Sequence, residues 1–306
     1  MANGTVGAIP SKTAIVFSGG GARGAYNAGV ALAFAQHGVC PEIVSGTSVG
    51  ALVAAMVVAG EEARLAEIWR HLTPSHVYGL RSRVQFFLSF IRPYRYPAYS
   101  SEPLARLIRE NVRLDKIRSS SRTLIVTCYN QTLHRVERFD NHFPDLHRAL
   151  LASTSIPLVF PPVEMNGQEY VDLGATVWPL KPAISAGAER IYAVVCDHPD
   201  DHRRAARNNL EWAIQVMNLA QRSNLLVDIE LARRINLTAQ GSGYKFVDLT
   251  VITPSKTLGL GFMDFHKKLQ INRALELGFE DGSAALSQTP VAHPIGTLQG
   301  DFCPYI

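Results

Sequence analysis

The stretch Phe17-Ser18-Gly19-Gly20-Gly21-Ala22-Arg23-Gly24 directly follows the apolar run that begins at Thr13, and further on Gly46-Thr47-Ser48-Val49-Gly50 separates a short apolar run from an apolar helical segment. A G-x-S-x-G serine on a strand-to-helix turn sits in a strained backbone conformation with its hydroxyl presented, and the glycines two positions either side, Gly46 and Gly50, let neighbouring backbone pass. Nucleophilic attack by Ser48 would create an oxyanion, and backbone N–H groups stabilise one only where side chains leave them bare. Gly19, Gly20 and Gly21 supply such a ridge, with Ala22, Arg23 and Gly24 behind it. The chemistry these residues suggest is acyl transfer.

Gly19, Gly21 and Gly24 also fit G-x-G-x-x-G, a weak signal for a nucleotide when taken alone. A dinucleotide site wants an acidic residue closing the second strand, whereas Glu42 opens that strand and Ser48 occupies the turn after it. A P-loop wants Lys-Ser or Lys-Thr after its last glycine, and here Ala25 and Tyr26 follow. Nucleotide binding therefore ranks behind acyl transfer.

A serine hydroxyl needs a group to take its proton. Asp172 follows a short strand-like run and precedes Leu173-Gly174-Ala175, where it reads either as that base or as a turn cap. His198 follows the apolar run 190–196 and would complete a Ser-Asp-His triad in the chain order of α/β-hydrolases. The cluster Asp197, His198, Asp200, Asp201 and His202 also reads as metal ligands or as a solvated loop. Spacing decides among none of these.

The elements that must position these groups are legible as periodicity. Apolar, β-branched runs at 13–17, 42–45, 122–128, 190–196 and 246–252 alternate with helical patterns at 25–37, 49–59, 61–71, 102–112, 145–152, 208–238 and 264–278. Strands apolar on both faces and separated by helices predict an α/β fold, a mainly parallel sheet between helix layers. The segment from Val49 to Ala59 is apolar all round, which predicts a buried helix whose amino end offers unpaired N–H groups and partial positive charge to Ser48. In 208–238, Leu210, Ala213, Ile214, Met217, Leu225, Ile229 and Ala232 mark one packed face.

The 306 residues, 47% hydrophobic and 18% charged, suit a globular protein, and no linker divides them, so 1–306 reads as a single domain. The amino-terminal residues carry no secretory pattern, and no apolar stretch reaches the ~18 residues that span a bilayer. The expected location is cytoplasmic, at most peripheral at a membrane. Cys40, Cys128, Cys196 and Cys303 contain no C-x-x-C pair, and Cys128 and Cys196 read as buried thiols without chemistry. A net charge of +4 is uneven: Arg81, Arg83, Arg92, Arg95, Arg106, Arg109, Arg113, Lys116, Arg118 and Arg122 face only Glu102, Glu110 and Asp115 in the same stretch. That pattern predicts a basic surface for an anionic partner. Within 76–100, arginines mix with Phe86, Phe87, Leu88, Phe90, Ile91, Tyr94, Tyr96 and Tyr99, which suits both a lid over the core and a membrane-facing segment. No recognition motif for nucleic acid accompanies them.

With its motifs assembled, the chain resembles the patatin-like phospholipases and lipid acyl hydrolases. The resemblance rests on S-G-G-G-A-R-G at 18–24, G-T-S-V-G at 46–50, A-S-x-S-x-P-x-x-F-P-P at 152–162 and D-x-G at 172–174, in that order, and the tail TPSKTLGLGFMDF is similar to bacterial members. It implies a patatin-like three-layer α/β/α sandwich and a Ser-Asp dyad without histidine. Ser48 is then the nucleophile, Asp172 the base, the N–H groups around Gly20, Gly21 and Ala22 the oxyanion hole, and Arg23 a brace for the loop or a neighbour of the bound phosphate. Family members usually carry glycine where Leu173 stands. An aspartate at its ordinary pKa of about 3.9 is a weak base, so the dyad requires surroundings that raise it. The implied substrate is a phospholipid or related acyl lipid, met by transient contact with a membrane surface, with no metal, nucleotide or other cofactor. The alternatives are the Ser-Asp-His esterase and a non-catalytic lipid-binding scaffold. Oligomeric state is left open.

Overall fold

The computed structural model describes residues 12–80, 97–172, 180–202, 206, 209–238 and 246–287. Thr13–Phe17 (β1) pairs in parallel with Ile43–Thr47 (β2) on one side and with Arg190–Val194 (β7) on the other. Thr123–Asn130 (β3) continues the sheet beyond β2, and Asp248–Ile252 (β8) continues it beyond β7, both in parallel. Alternation along β1 shows why these runs are apolar throughout: Ile15 and Phe17 enter one core cluster, Ala14 and Val16 the other, all buried. Both faces are covered.

Gly24–Gln36 (α1), Val49–Val58 (α2), Glu62–His71 (α3), Glu102–Asn111 (α4), Leu146–Ser153 (α5) and Lys268–Ser287 (α7) contribute buried residues to the first cluster. Leu180–Ser185 and the long helix Asn209–Thr238 (α6) contribute Leu180, Ala183 and Ile229 to the second. The result is the three-layer α/β/α sandwich. Ile214, Ile229 and Ala232 of α6 are buried and Met217 packs on the core, on the face that the spacing marks; the side chains of Leu210 and Leu225 lie outside the described residues.

The sheet is only partly parallel. Arg135–Phe139 (β4), Val163–Met165 (β5) and Gln168–Val171 (β6) form its antiparallel end, with β4 and β6 both paired to β3 and β5 to β6. Of these, periodicity marks only the short run before Asp172. β4 reads Arg-Val-Glu-Arg-Phe and is largely exposed, so it carries no apolar run.

Much of the described basic stretch is turned to internal partners. Arg109 pairs with Glu102, Arg113 with Asp115, Lys116 with Glu61 and Arg122 with Glu62. Arg81, Arg83, Arg92 and Arg95 lie outside the described residues, as do the aromatic residues between Phe86 and Tyr96. The ends of that segment form a small ribbon, Gly79–Leu80 with Tyr99–Ser100, anchored where the Ala98 and Tyr99 amides donate to the Leu158 and Val159 carbonyls. No helix among the described residues is long and apolar enough to cross a membrane.

Candidate active site

The parallel strands run the same way, so their carboxyl ends share one edge of the sheet, where open α/β folds place ligands. The glycine loop leaves β1 there, Ser48 leaves β2, and Cys196 to His198 leave β7.

Ser48 has φ 58° and ψ −135° at the amino end of α2, a region that a side chain occupies at a cost of about 1–3 kcal/mol. Packing imposes it. A Cβ on Gly46 would lie 2.2 Å from the Gly50 carbonyl oxygen, and one on Gly50 would lie 2.3 Å from that of Phe17, so the chain passes over itself and over β1 only as bare backbone. The Ser48 amide donates to Ser153 Oγ at 2.9 Å, and that hydroxyl donates to the Thr127 carbonyl at 2.9 Å. Ser153, fully buried at the end of α5, thereby ties the elbow to β3.

Strand register brings Asp172 to the same place. Val126 and Thr127 pair with both β2 and β4, while Tyr129 and Asn130 pair with both β4 and β6. Since a strand has two edges, β2 and β6 share one edge of β3 and run toward each other. β2 ends at Thr47 opposite Thr127, β6 ends at Val171 opposite Tyr129, and Cys128 lies between. Ser48 and Asp172 are the next residues after those two ends, so they converge on the gap beside Cys128. Asp172 is buried, its amide donating to the Ser155 carbonyl at 2.9 Å. Burial pushes the Cys128 thiol well up, and the charge of Asp172 adds to the shift. Leu173, Gly174 and Ala175 lie outside the described residues.

In the glycine loop, Gly21 has φ 58°, and a Cβ on it would stand 2.2 Å from the Phe262 carbonyl oxygen. That carbonyl accepts the Ala22 amide at 2.8 Å, and the Arg23 amide returns to the Gly20 carbonyl at 3.2 Å. The Ala22 amide, expected among the oxyanion donors, is instead bonded to Phe262 and, with the Arg23 amide, holds the loop in shape. Among the described residues, none accepts a hydrogen bond from the amides of Gly19, Gly20 or Gly21. Arg23 is buried, its Nη1 2.5 Å from Asp197 and its Nε donating to the Gly20 carbonyl at 3.3 Å. These contacts make it a brace. Gly24 opens α1 immediately behind.

The charged cluster after β7 has structural partners. Asp197 holds Arg23, Asp201 accepts the Leu258 and Gly259 amides at 3.1 Å each, and His198 Nδ1 accepts the Asp200 amide at 3.2 Å. His198 follows β7, which β1 separates from β2 and its Ser48.

From Ser48 and Gly21 an apolar pocket, partly open to solvent, extends among α2, α3 and α4, walled by Val53, Met56, Trp69, Leu104, Ile108 and Phe265. A hydroxyl on a strained turn, a carboxylate converging on it, bare amides and an apolar cleft suit the capture of an ester with a hydrocarbon chain.

The family model for patatin-like phospholipase matches residues 15–184, which take in the glycine loop, the elbow, Ser153 and Asp172. The chain belongs to the patatin-like phospholipase family. Patatin-like phospholipase domain-containing proteins of Aspergillus oryzae and Aspergillus clavatus are 30% and 31% identical to it over 163 residues, 50% of this chain and 22% of each relative. The chain thus spans about a fifth of the length of the curated relatives it matches. Among solved structures, VipD from Legionella pneumophila superposes with a TM-score of 0.48 at 15% identity, over 90% of this chain and 67% of that one.

Within this patatin-like framework, several residues that position the site carry no functional signal in the sequence. Ser153 stands inside the A-S-x-S-x-P motif, which marks the family without naming the serine's task. The tail motif LGLGFMDF forms a turn in which the Gly261 amide donates to Asp264 Oδ2 at 2.8 Å, and this turn delivers the Phe262 carbonyl to the glycine loop. No local pattern announces either bond.

Proposed function

We propose that this patatin-like chain is a lipid acyl hydrolase that cleaves carboxylic esters of phospholipids, with Ser48 as nucleophile and Asp172 as base. The observation that carries the reading is a strained serine, at the head of a buried helix, on which an aspartate-bearing strand end converges beside an apolar cleft. Ser48 Oγ attacks the ester carbonyl while its proton passes to Asp172. The resulting oxyanion faces the Gly19, Gly20 and Gly21 amides and the amino end of α2, where fixed dipoles stabilise developing negative charge. Collapse breaks the bond to the lysophospholipid oxygen, which takes the proton from Asp172. Water then attacks the acyl-enzyme, giving a proton to Asp172, and the second collapse releases the fatty acid and returns that proton to Ser48. The apolar pocket holds the acyl chain.

The test is fatty-acid release from vesicles of phosphatidylcholine and phosphatidylglycerol. Wild-type protein releases fatty acid and lysophospholipid, and Ser48→Ala reduces release to the level of vesicles alone. Equal release by Ser48→Ala overturns the assignment.

A further inference from the structure

In the Ser48 hydrolase just proposed, a reading on which the roles of Cys196 and Asn27 depend, the bare amides of the glycine loop must be held in a fixed direction. A trans peptide unit is planar, with its C=O and the following N–H on opposite sides, so a side chain that fixes one carbonyl also aims the next residue's amide. Consecutive carbonyls of the loop are fixed in this way by buried side chains from different parts of the chain. The Ser18 carbonyl accepts from Asn27 Nδ2 at 2.9 Å, the Gly19 carbonyl from the Cys196 thiol at 3.1 Å, and the Gly20 carbonyl from Arg23 Nε at 3.3 Å. The amides turned away from these anchors belong to Gly19, Gly20 and Gly21, the same three that find no acceptor among the described residues.

We infer that Cys196 and Asn27 are positioning residues of the oxyanion hole: from beneath the loop they orient the peptide units whose amides meet the reacting carbonyl. Neither touches the substrate. Cys196 is itself fixed, for its amide donates to Ser18 Oγ at 3.0 Å and that hydroxyl donates back to the thiol at 3.4 Å. It lies directly against the loop, since a Cβ on Gly20 would stand 2.4 Å from its sulfur. Burial raises the thiol's pKa, with the Arg23 guanidinium opposing, so at neutral pH the sulfur keeps the proton it donates. Asn27, fully buried on α1, anchors the loop where it leaves β1.

The experiment is steady-state hydrolysis of p-nitrophenyl octanoate by wild type, Ser48→Ala, Cys196→Val, Cys196→Ser and Asn27→Leu, with circular dichroism and thermal melting to verify folding. Valine and leucine match the shapes they replace and donate nothing. Loss of one oxyanion donor lowers kcat by about 10²–10³; misaiming one rather than removing it predicts a fall of about 10- to 100-fold in Cys196→Val and Asn27→Leu, with KM within about twofold. Cys196→Ser recovers most of the rate, because a hydroxyl can donate to the same carbonyl. The Ki of an octyl trifluoromethyl ketone, whose serine adduct bears the same oxyanion, rises in step with the loss of kcat, a change that lower stability alone does not produce. Folded Cys196→Val and Asn27→Leu with wild-type kcat overturn the inference, and so does Cys196→Ser as slow as Cys196→Val. If Ser48→Ala still turns over, the nucleophile assignment itself falls. If Ser48→Ala is inactive while folded Cys196→Val and Asn27→Leu run at full rate, only the positioning role falls.

Discussion

The turns that leave β1 and β2 lie side by side and are held in different measure by lack of space and by hydrogen bonds. The elbow after β2 is fixed chiefly by lack of space, since Gly46 and Gly50 allow backbone to touch backbone, with one hydrogen bond from the Ser48 amide to Ser153 besides. The loop after β1 is held mainly by hydrogen bonds from Asn27, Cys196 and Arg23 and by the Phe262 carbonyl from the tail, with close packing at Gly21 against that carbonyl and at Gly20 against the Cys196 sulfur. Steric constraint of the first kind confines the choice of residue within five consecutive positions. Constraint of the second kind is spread across the chain, and each anchor looks locally like any other small polar or apolar residue.

Glycine replacements test this contrast most sharply. Gly50→Ala sets a Cβ 2.3 Å and 2.6 Å from the carbonyl oxygens of Phe17 and Ser18, backbone atoms that cannot step aside. Overpacking typically costs about 1–3 kcal/mol and sometimes more, and this site belongs at or above the upper end; urea denaturation measures it, and a loss below about 1 kcal/mol breaks the steric account. Gly20→Ala meets the Cys196 sulfur at 2.4 Å, the end of a side chain held by hydrogen bonds rather than a backbone atom, so it is the thiol that gives way. Its expected loss of stability is about 1 kcal/mol, while kcat falls more than tenfold because the thiol leaves the Gly19 carbonyl. If the two variants lose stability equally, the turns are not held differently.

The smallest effect concerns the far anchor of the glycine loop. Burial raises the Asp264 carboxyl's pKa, but hydrogen bonds from Lys267 and the Gly261 amide outweigh it and hold the group below its ordinary value. A carboxyl depressed in the folded state contributes stability in full above its unfolded pKa and loses it as pH falls through the folded one. Melting temperature should therefore decline below about pH 4 by a degree or two more in wild type than in Asp264→Asn. Parallel melting curves remove Asp264 from the account.

Legibility in the sequence follows the same division. The inner parallel strands are recognisable because they are largely buried on both faces, so that Thr13–Phe17 and Arg190–Val194 stand out as apolar runs, whereas β8 at the sheet's edge is mostly half-buried. The antiparallel strands β4, β5 and β6 are short and partly exposed, and apolar content does not mark β4 at all. Ser48, Gly46 and Gly50 are legible because the elbow is local. Asp172 is legible as a residue, but its approach to Ser48 depends on β2 and β6 meeting end to end along β3, which only the register reveals. Cys196, read from the sequence as an inert buried thiol, proves to hold the Gly19 carbonyl across 177 positions of chain. In the basic stretch, the pairs Arg109–Glu102 and Arg113–Asp115 are local in sequence, whereas folding brings Glu61 to Lys116 and Glu62 to Arg122.

Whether Asp172 makes Ser48 reactive is measured by fluorophosphonate labelling of wild type and a folded Asp172→Asn, quantified by mass spectrometry. Wild type should carry the adduct on Ser48, and the variant should be labelled at least about 100-fold more slowly. An adduct on another residue, or Asp172→Asn labelled at the wild-type rate, contradicts that activation.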